Sequence, residues 1–168
     1  RLQKYADIFR VDQVFCCLGT TIKAAGSQEA FRMVDFTYVV QAAALASKNK
    51  VDQFLVVSSL GANPVSRSFY LRVKGDMEDA LRKLPFSSTH IFRPSLLLGA
   101  RPEIRIGERL GGIAMRTVSF VMVGNLKRYK AIEARTVAKA MVAAAKRGST
   151  GLHTYESEEI QVLGNKEI

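Results

Sequence analysis

The chain has 168 residues, 48% hydrophobic and 24% charged, enough to bury one sizeable core and too balanced for a disordered, collagen-like or disulfide-stapled class. No uninterrupted apolar run reaches the roughly 18–20 residues of a membrane span, and the opening RLQKYADIF has no signal-peptide layout, so a cytoplasmic location without a membrane span is the expectation. The net charge of +10 raises a nucleic-acid partner, but Lys and Arg never run five or six together, which argues against nucleic acid and leaves solubility and attraction for a phosphate-bearing ligand.

Taken in order, residues 2–9 have a short helical look, with Leu2, Tyr5, Ala6 and Phe9 on one side. Residues 11–18, VDQVFCCL, predict a strand whose apolar end suits burial on both faces, and so not an edge. Cys16 and Cys17 are neighbours on that strand and point to opposite faces; a disulfide between them is implausible, and both read as small core residues in a reducing compartment. Gly19, Thr20 and Thr21 follow, the glycine permitting close approach of a ligand or backbone. Ser27 marks a helix start without a full capping box, and Phe31, Val34, Tyr38, Val39, Ala42 and Leu45 predict one long amphipathic helix over 28–48. The run QFLVVSS, 53–59, is a second strand, so strand–helix–strand implies parallel pairing. After a Gly-Asn-Pro loop, a helix opens at Tyr70, continues through Met77, Ala80, Leu81 and Leu84, and stops at Pro85.

A third strand begins at His90, but Pro94 has no amide hydrogen for a ladder, so the regular part ends near Arg93. Residues 101–107 are a charged loop, 108–122 an apolar helix, and 123–129 extended or irregular. An Ala-rich helix over 131–146 carries the stripe Val137, Ala140, Met141 and Ala144 and closes at Arg147 and Gly148. A short strand at 153–155 and one helical turn at 158–163 finish the chain. Strands alternating with helices predict an α/β fold, a doubly wound, Rossmann-like, mostly parallel sheet with helices on both faces. The expectation is a single dinucleotide-binding domain over 1–168, with 100–168 contributing the substrate-side helices and loop.

The chemistry converges on 53–74. Tyr70 and Lys74 are one helical turn apart and lie on one face. A phenol titrates near 10 in isolation, so a tyrosine works as an acid–base group at neutral pH only when a cation stabilises its phenolate; Lys74 is placed to be that cation. A hydroxyl at the end of the preceding strand, Ser58 or Ser59, can hold a substrate carbonyl oxygen beside the phenol. Tyr-x-x-x-Lys alone arises often by chance; its position one loop after a strand ending in serines, where open α/β sheets bind ligands, gives it weight.

The phrases FCCLGTT, VSSLGAN, YLRVKGDME and FRPSLLLG, in that order, resemble the atypical short-chain dehydrogenase/reductase family, in its Tat-interacting-protein-like oxidoreductase branch, over about residues 1–145. The resemblance implies Tyr70 as catalytic acid or base, Lys74 as its cationic partner and a ligand of the nicotinamide ribose, and Ser59, with Ser58 as the alternative, as the group that orients the substrate oxygen. It implies Leu18, Gly19 and Thr20 against the adenosine side of a dinucleotide, and Pro94, Ser95 and Leu96 near the nicotinamide. Arg93 reads equally as a cofactor contact or as a structural arginine with a fixed carboxylate partner. The cofactor implied is NADP, with NAD an alternative, and the substrate a small carbonyl or alcohol. Such a fold opens with a strand, a Gly-rich turn and a helix, and no G-x-G-x-x-G stands near this start; the expectation is therefore that the N-terminal strands are missing from the sequence.

Two readings follow. One is an NAD(P)(H)-dependent oxidoreductase; the other is a dinucleotide-sensing regulatory module with a protein partner and little turnover. Asp76, Glu78 and Asp79 read as a solvated helix face with Arg82 and Lys83. His90 and His153 are too few and too scattered for a metal, Met115 and Met122 read as core, and 101–109, with three Arg, is the candidate substrate lid. Oligomeric state is not fixed by the sequence.

Overall fold

The β-branched and aromatic runs form the centre of the fold. The computed structural model describes residues 7–98 and 131–165; the expectations for 2–6, the loop and lid 101–109, the helix 108–122 with Met115 and Met122, and the stretch 123–129 lie outside the described residues. Four parallel strands, β1 (Gln13–Cys16), β2 (Gln53–Val57), β3 (Ser88–Arg93) and β6 (Gly151–Glu156), pair in the order β1-β2-β3-β6. Their register sets Phe15 beside Leu55, Leu55 beside His90 and His90 beside His153. A short parallel pair, β4 (Leu97–Leu98) with β5 (Ile132–Glu133), stands apart from that sheet.

Side chains alternate between the two faces, and each face has its own core. On one face Cys16, Phe54, Val56 and Ile91 pack against Val39, Ala42, Ala43 and Ala46 of α3 (Val39–Lys48) and Met77 and Leu81 of α4 (Phe69–Leu81). On the other, Leu55 and Phe92 meet Val137, Ala140, Met141 and Ala144 of α5 (Ala134–Lys146) and Ile160 and Leu163 of α6 (Ser157–Asn165). Helices on both faces of a parallel sheet make the fold the doubly wound, Rossmann-like α/β class. The two C-terminal helices cross so closely that a Cβ on Gly164 would lie 2.3 Å from the Thr136 carbonyl oxygen.

Several boundaries differ from the sequence expectations. The strand at 11–18 is shorter, and β1 is a sheet edge among the described residues: Phe15 is 42% exposed and Leu18 45%. Phe15 points to the face covered by α5 and α6, which pack over β2, β3 and β6 and leave β1 open. A one-turn helix, α1 (Ile22–Ala25), capped by Thr21, occupies the expected loop. The long helix of 28–48 is continuous but not uniform: α2 (Gln28–Arg32), capped by the Ser27 hydroxyl, runs through a π-wound segment, Met33–Tyr38, into α3. The last strand runs Gly151–Glu156 rather than 153–155, and the last helix runs nine residues instead of one turn. No helix among the described residues is long and apolar enough to cross a membrane.

Candidate active site

All four strands are parallel, so their carboxyl ends form one edge, and three expected site segments leave from it: 17–20 after β1, 58–60 after β2 and 94–96 after β3. Hydrogen bonds tie the second to the third. The Ser58 amide donates to the Phe92 carbonyl at 2.6 Å and the Leu60 amide to the Pro94 carbonyl at 2.9 Å, carrying the β2–β3 ladder past Pro94. The Ser95 amide donates to Ser157 Oγ at 2.7 Å, and the Ile132 amide to the Leu96 carbonyl at 2.9 Å. Pro94 is buried, while Leu96 and Leu18 are exposed.

The helix bearing Tyr70 and Lys74 is α4, and the loop that carries Ser59 is folded hard against it. The Asn63 amide donates to the Leu71 carbonyl at 3.1 Å. A Cβ on Gly75 would sit 2.3 Å from Asn63 C and Pro64 N, so only glycine allows this approach. Tyr70 is half-buried, its ring tilted against Phe31 of α2 with centroids 5.3 Å apart. Lys74 is 4% exposed, and its Nζ lies 2.8 Å from Oδ1 of Asp35, itself 1% exposed, in the π segment. Oδ2 of the same carboxylate accepts the Thr20 amide at 2.8 Å. A Cβ on Gly19 would lie 3.4 Å from Asp35 Oδ1 and 3.9 Å from Lys74 Nζ, so the turn after β1 and the lysine on α4 share one volume. Nearby, burial pushes the Cys16 thiol up, against opposing pulls from the Leu18 backbone and Lys74.

The two serines are separated by strand alternation. Ser58 is 4% exposed and donates to Glu78 Oε1 at 2.6 Å, within the fold. Ser59 is half-buried, and among the described residues its hydroxyl makes one long 3.4 Å contact, with the Leu60 carbonyl. Arg93 has the fixed carboxylate that one of its two readings required: Nε and Nη2 reach the Glu78 oxygens at 2.9 and 2.6 Å, and these bonds raise the guanidinium pKa against the cost of burial. Glu78 therefore corrects the solvated-face reading. It is fully buried and also takes Arg82 at 3.0 Å, whereas Asp76 pairs with Arg32 at 2.7 Å and Asp79 with Arg82 near the surface. The spacing was readable, because Glu78 is four residues after Lys74 and on its face. Asp35 was missed altogether. Its signal was being the one charged residue in 33–47.

The two histidines, expected to be scattered, meet inside the sheet. His90 is buried there, bonded to Ser88 Oγ at 2.6 Å and the Tyr155 hydroxyl at 3.1 Å, and stacked on His153 at 5.0 Å. Burial, then the charge of His153, lowers its pKa to about 4. Among the described residues no group of three or more His, Cys, Asp or Glu is arranged to hold a metal ion.

No protein-family model matches the chain. Among curated proteins it is similar to Protein HTATIP2 of Rattus norvegicus, 42% identical over 111 residues, covering 66% of this chain and 46% of that protein. It is also similar to Protein FMP52, mitochondrial, of Coccidioides immitis, 32% identical over 154 residues, covering 92% of this chain and 63% of the relative. The chain thus spans between 46% and 63% of the length of these two relatives. Among solved structures it resembles the Bordetella bronchiseptica enzyme WbmH in complex with NAD+, with a TM-score of 0.64, 16% identity, and 98% of this chain and 59% of that one covered. It also resembles UDP-N-acetylglucosamine 4-epimerase from Bacillus cereus, with a TM-score of 0.65, 15% identity, and 96% and 66% covered. At that identity the structural likeness speaks for the fold.

Proposed function

We propose that this chain, a homologue of HTATIP2 and FMP52 and with them an atypical short-chain dehydrogenase/reductase, is part of an NAD(P)(H)-dependent oxidoreductase acting on a small carbonyl or alcohol. The observation that carries the reading is the meeting of Lys74, one turn after Tyr70, with the Gly19–Thr20 turn at the carboxyl edge of the sheet. The residues suit the nicotinamide side of a dinucleotide. Lys74 and Asp35 Oδ1 offer a donor and an acceptor side by side, the set a ribose diol takes, and Gly19 has no side chain in the approach.

A bound nicotinamide supplies or accepts the hydride; the chain's own residues handle proton and orientation. In this reading Tyr70 gives its proton to a carbonyl oxygen on reduction and recovers it from a hydroxyl on oxidation, with the Lys74 ammonium stabilising the phenolate between. Ser59 orients the substrate oxygen, and Ser58 drops out because its hydroxyl is committed to Glu78. Leu18, Gly19 and Thr20 line the dinucleotide, with Gly19 beside Lys74 at the nicotinamide ribose rather than on the adenosine side, Pro94, Ser95 and Leu96 serve the nicotinamide, and Arg93 supports the site through Glu78. The basic charge favours NADP over NAD, and 1–168 acts as one dinucleotide-binding unit. Free Cys16 and Cys17 fit a reducing compartment, and we assign the cytoplasm; a tagged full-length protein found in mitochondria, as the name of FMP52 has it for that relative, replaces that assignment.

The test is NADPH and NADH binding to the full-length protein, with Tyr70→Phe carried through a carbonyl-reductase screen. Binding with turnover that falls at least about a hundredfold in the variant is the expected result. Binding without any turnover moves the protein to the dinucleotide-sensing reading, and no binding overturns both.

A further inference from the structure

The segment 94–96 leaves β3 at the carboxyl edge, and its backbone is tied to a different part of the chain at each residue. The Pro94 carbonyl takes the Leu60 amide from the loop that carries Ser59, and the Leu96 carbonyl takes the Ile132 amide of β5, both at 2.9 Å. Ser95 gives its amide to Ser157 Oγ at 2.7 Å. Of these three bonds the last ends on a side chain. A substitution at Ser157 therefore removes it without altering the segment itself.

Ser157 opens α6, and a serine at a helix start ordinarily turns its oxygen on an amide of its own first turn. Here Glu159 closes that start: its Oε2 accepts the Glu156 amide at 3.0 Å, one half of a capping box. The Ser157 hydroxyl, on a residue 3% exposed, reaches instead to a partner 62 positions earlier in the chain. Its support is firmly seated. Ile160 and Leu163 lie in the core with Leu55 and Phe92, and Gly164 is pressed against Thr136. Just before it, Glu156 faces Arg93 across the β3–β6 pair at 3.9 Å. A buried hydroxyl on so fixed a helix gives a reference point to a segment that must leave the ladder at Pro94.

We infer that Ser157 is a positioning residue for the nicotinamide side of the site: through its hydroxyl the C-terminal helix sets where the backbone of 94–96 stands against the ring of a bound dinucleotide. The inference rests on the oxidoreductase reading, which puts the nicotinamide at Pro94, Ser95 and Leu96. The competing role is structural, the hydroxyl seating α6 and nothing more.

Ser157→Ala and Ser157→Thr separate the two, because threonine keeps a hydroxyl on the same carbon and alanine does not. For wild type and both variants of the full-length protein, binding is measured for NADPH and NADH and for ADP-ribose with and without its ribose phosphate, fragments that lack the nicotinamide. Amide exchange over 94–98 is followed by mass spectrometry. We expect Ser157→Ala to bind the dinucleotide about fivefold more weakly, the scale of one hydrogen bond, with the matching fragment unchanged. Its Ser95 amide should exchange at least about tenfold faster, and Ser157→Thr should restore both. Equal weakening of dinucleotide and fragment, or weakening of neither, overturns the inference. So does a Ser157→Thr protein that behaves as Ser157→Ala, because the oxygen is then not what matters. A Ser157→Ala protein that does not fold also overturns it, since the hydroxyl is then a scaffold contact. Failure of wild type to bind either dinucleotide sinks the oxidoreductase reading instead; exchange at Ser95 still reports whether Ser157 holds the segment, and an unchanged rate overturns that hold.

Discussion

Two buried carboxylates on neighbouring helices, Asp35 and Glu78, are both fully enclosed and both paired with a cation, yet they differ in what they leave over. Glu78 is saturated: Oε1 takes Ser58 and Arg93, and Oε2 takes Arg93 and Arg82. Asp35 has one oxygen committed to a backbone amide and the other facing a lysine, at the carboxyl edge of the sheet. A saturated cluster braces the strand ends from which Ser58 and Arg93 leave. An unsaturated one beside a turn and a titratable pair has capacity for a ligand. Burial of a charge thus does not distinguish scaffold from site, whereas the count of committed lone pairs does.

The largest test of that contrast is Glu78→Gln. It leaves the half-enclosed Arg93 with only Glu156, 3.9 Å away, as a carboxylate among the described residues, and we expect a loss of about 3 kcal/mol by urea denaturation, below the cost of a fully buried pair because Arg93 and Arg82 keep some solvent. If the loss is below about 1 kcal/mol, the cluster is not the brace described.

A third polar centre, His90, sits inside the sheet and gives a pH signature. The unfolded imidazole takes a proton below about 6.5, and the folded one only below about 4. Within that window the unfolded state binds the extra proton, so stability is present above it and drains as pH falls through it, by at most about 3 kcal/mol. Urea midpoints between about pH 7 and pH 4 for wild type and His90→Gln check this, the variant showing the shallower acid limb. Parallel pH profiles for the two proteins would remove His90 as the cause.

Gly75→Ala is the most selective in effect. Its methyl meets the Asn63–Pro64 backbone, so about 1–3 kcal/mol is expected from overpacking. Because that loop carries Ser59, turnover should fall further than the melting temperature predicts. Full activity in a destabilised Gly75→Ala would disconnect the loop from the site.

Much of this was legible in the chain. The run FLVVSS announced a buried strand with polar groups at its carboxyl end, Pro94 stopped β3 at Arg93, and four-residue spacing put Tyr70 and Lys74 on one face. What failed has a physical cause. The apolar pattern of 11–18 promised a strand covered on both sides, because hydrophobicity records what a strand tolerates and not which helix covers it; Phe15 lies where α5 and α6 do not reach. Glu78 was read by residue type, as an acid among acids, when its place on the Lys74 face was the stronger signal. Asp35 escaped because 28–48 was read by its apolar residues alone, and an acid four residues after Phe31, on the same face, leaves no mark on such a stripe.

The π segment within 28–48 has a mechanical meaning. An α-helix presents one stripe, and a stripe can serve one neighbour. A π turn holds an extra residue and shifts the angular phase of everything after it. Here the slip lets one rod address two customers in succession: Phe31 and Asp35 before and within the wide turn face Tyr70 and Lys74, while Val39, Ala42, Ala43 and Ala46 after it pack into the core with the sheet. The helix acts as a coupling shaft with its two ends cut out of phase, so the chemistry at one end and the packing at the other share a single rigid part.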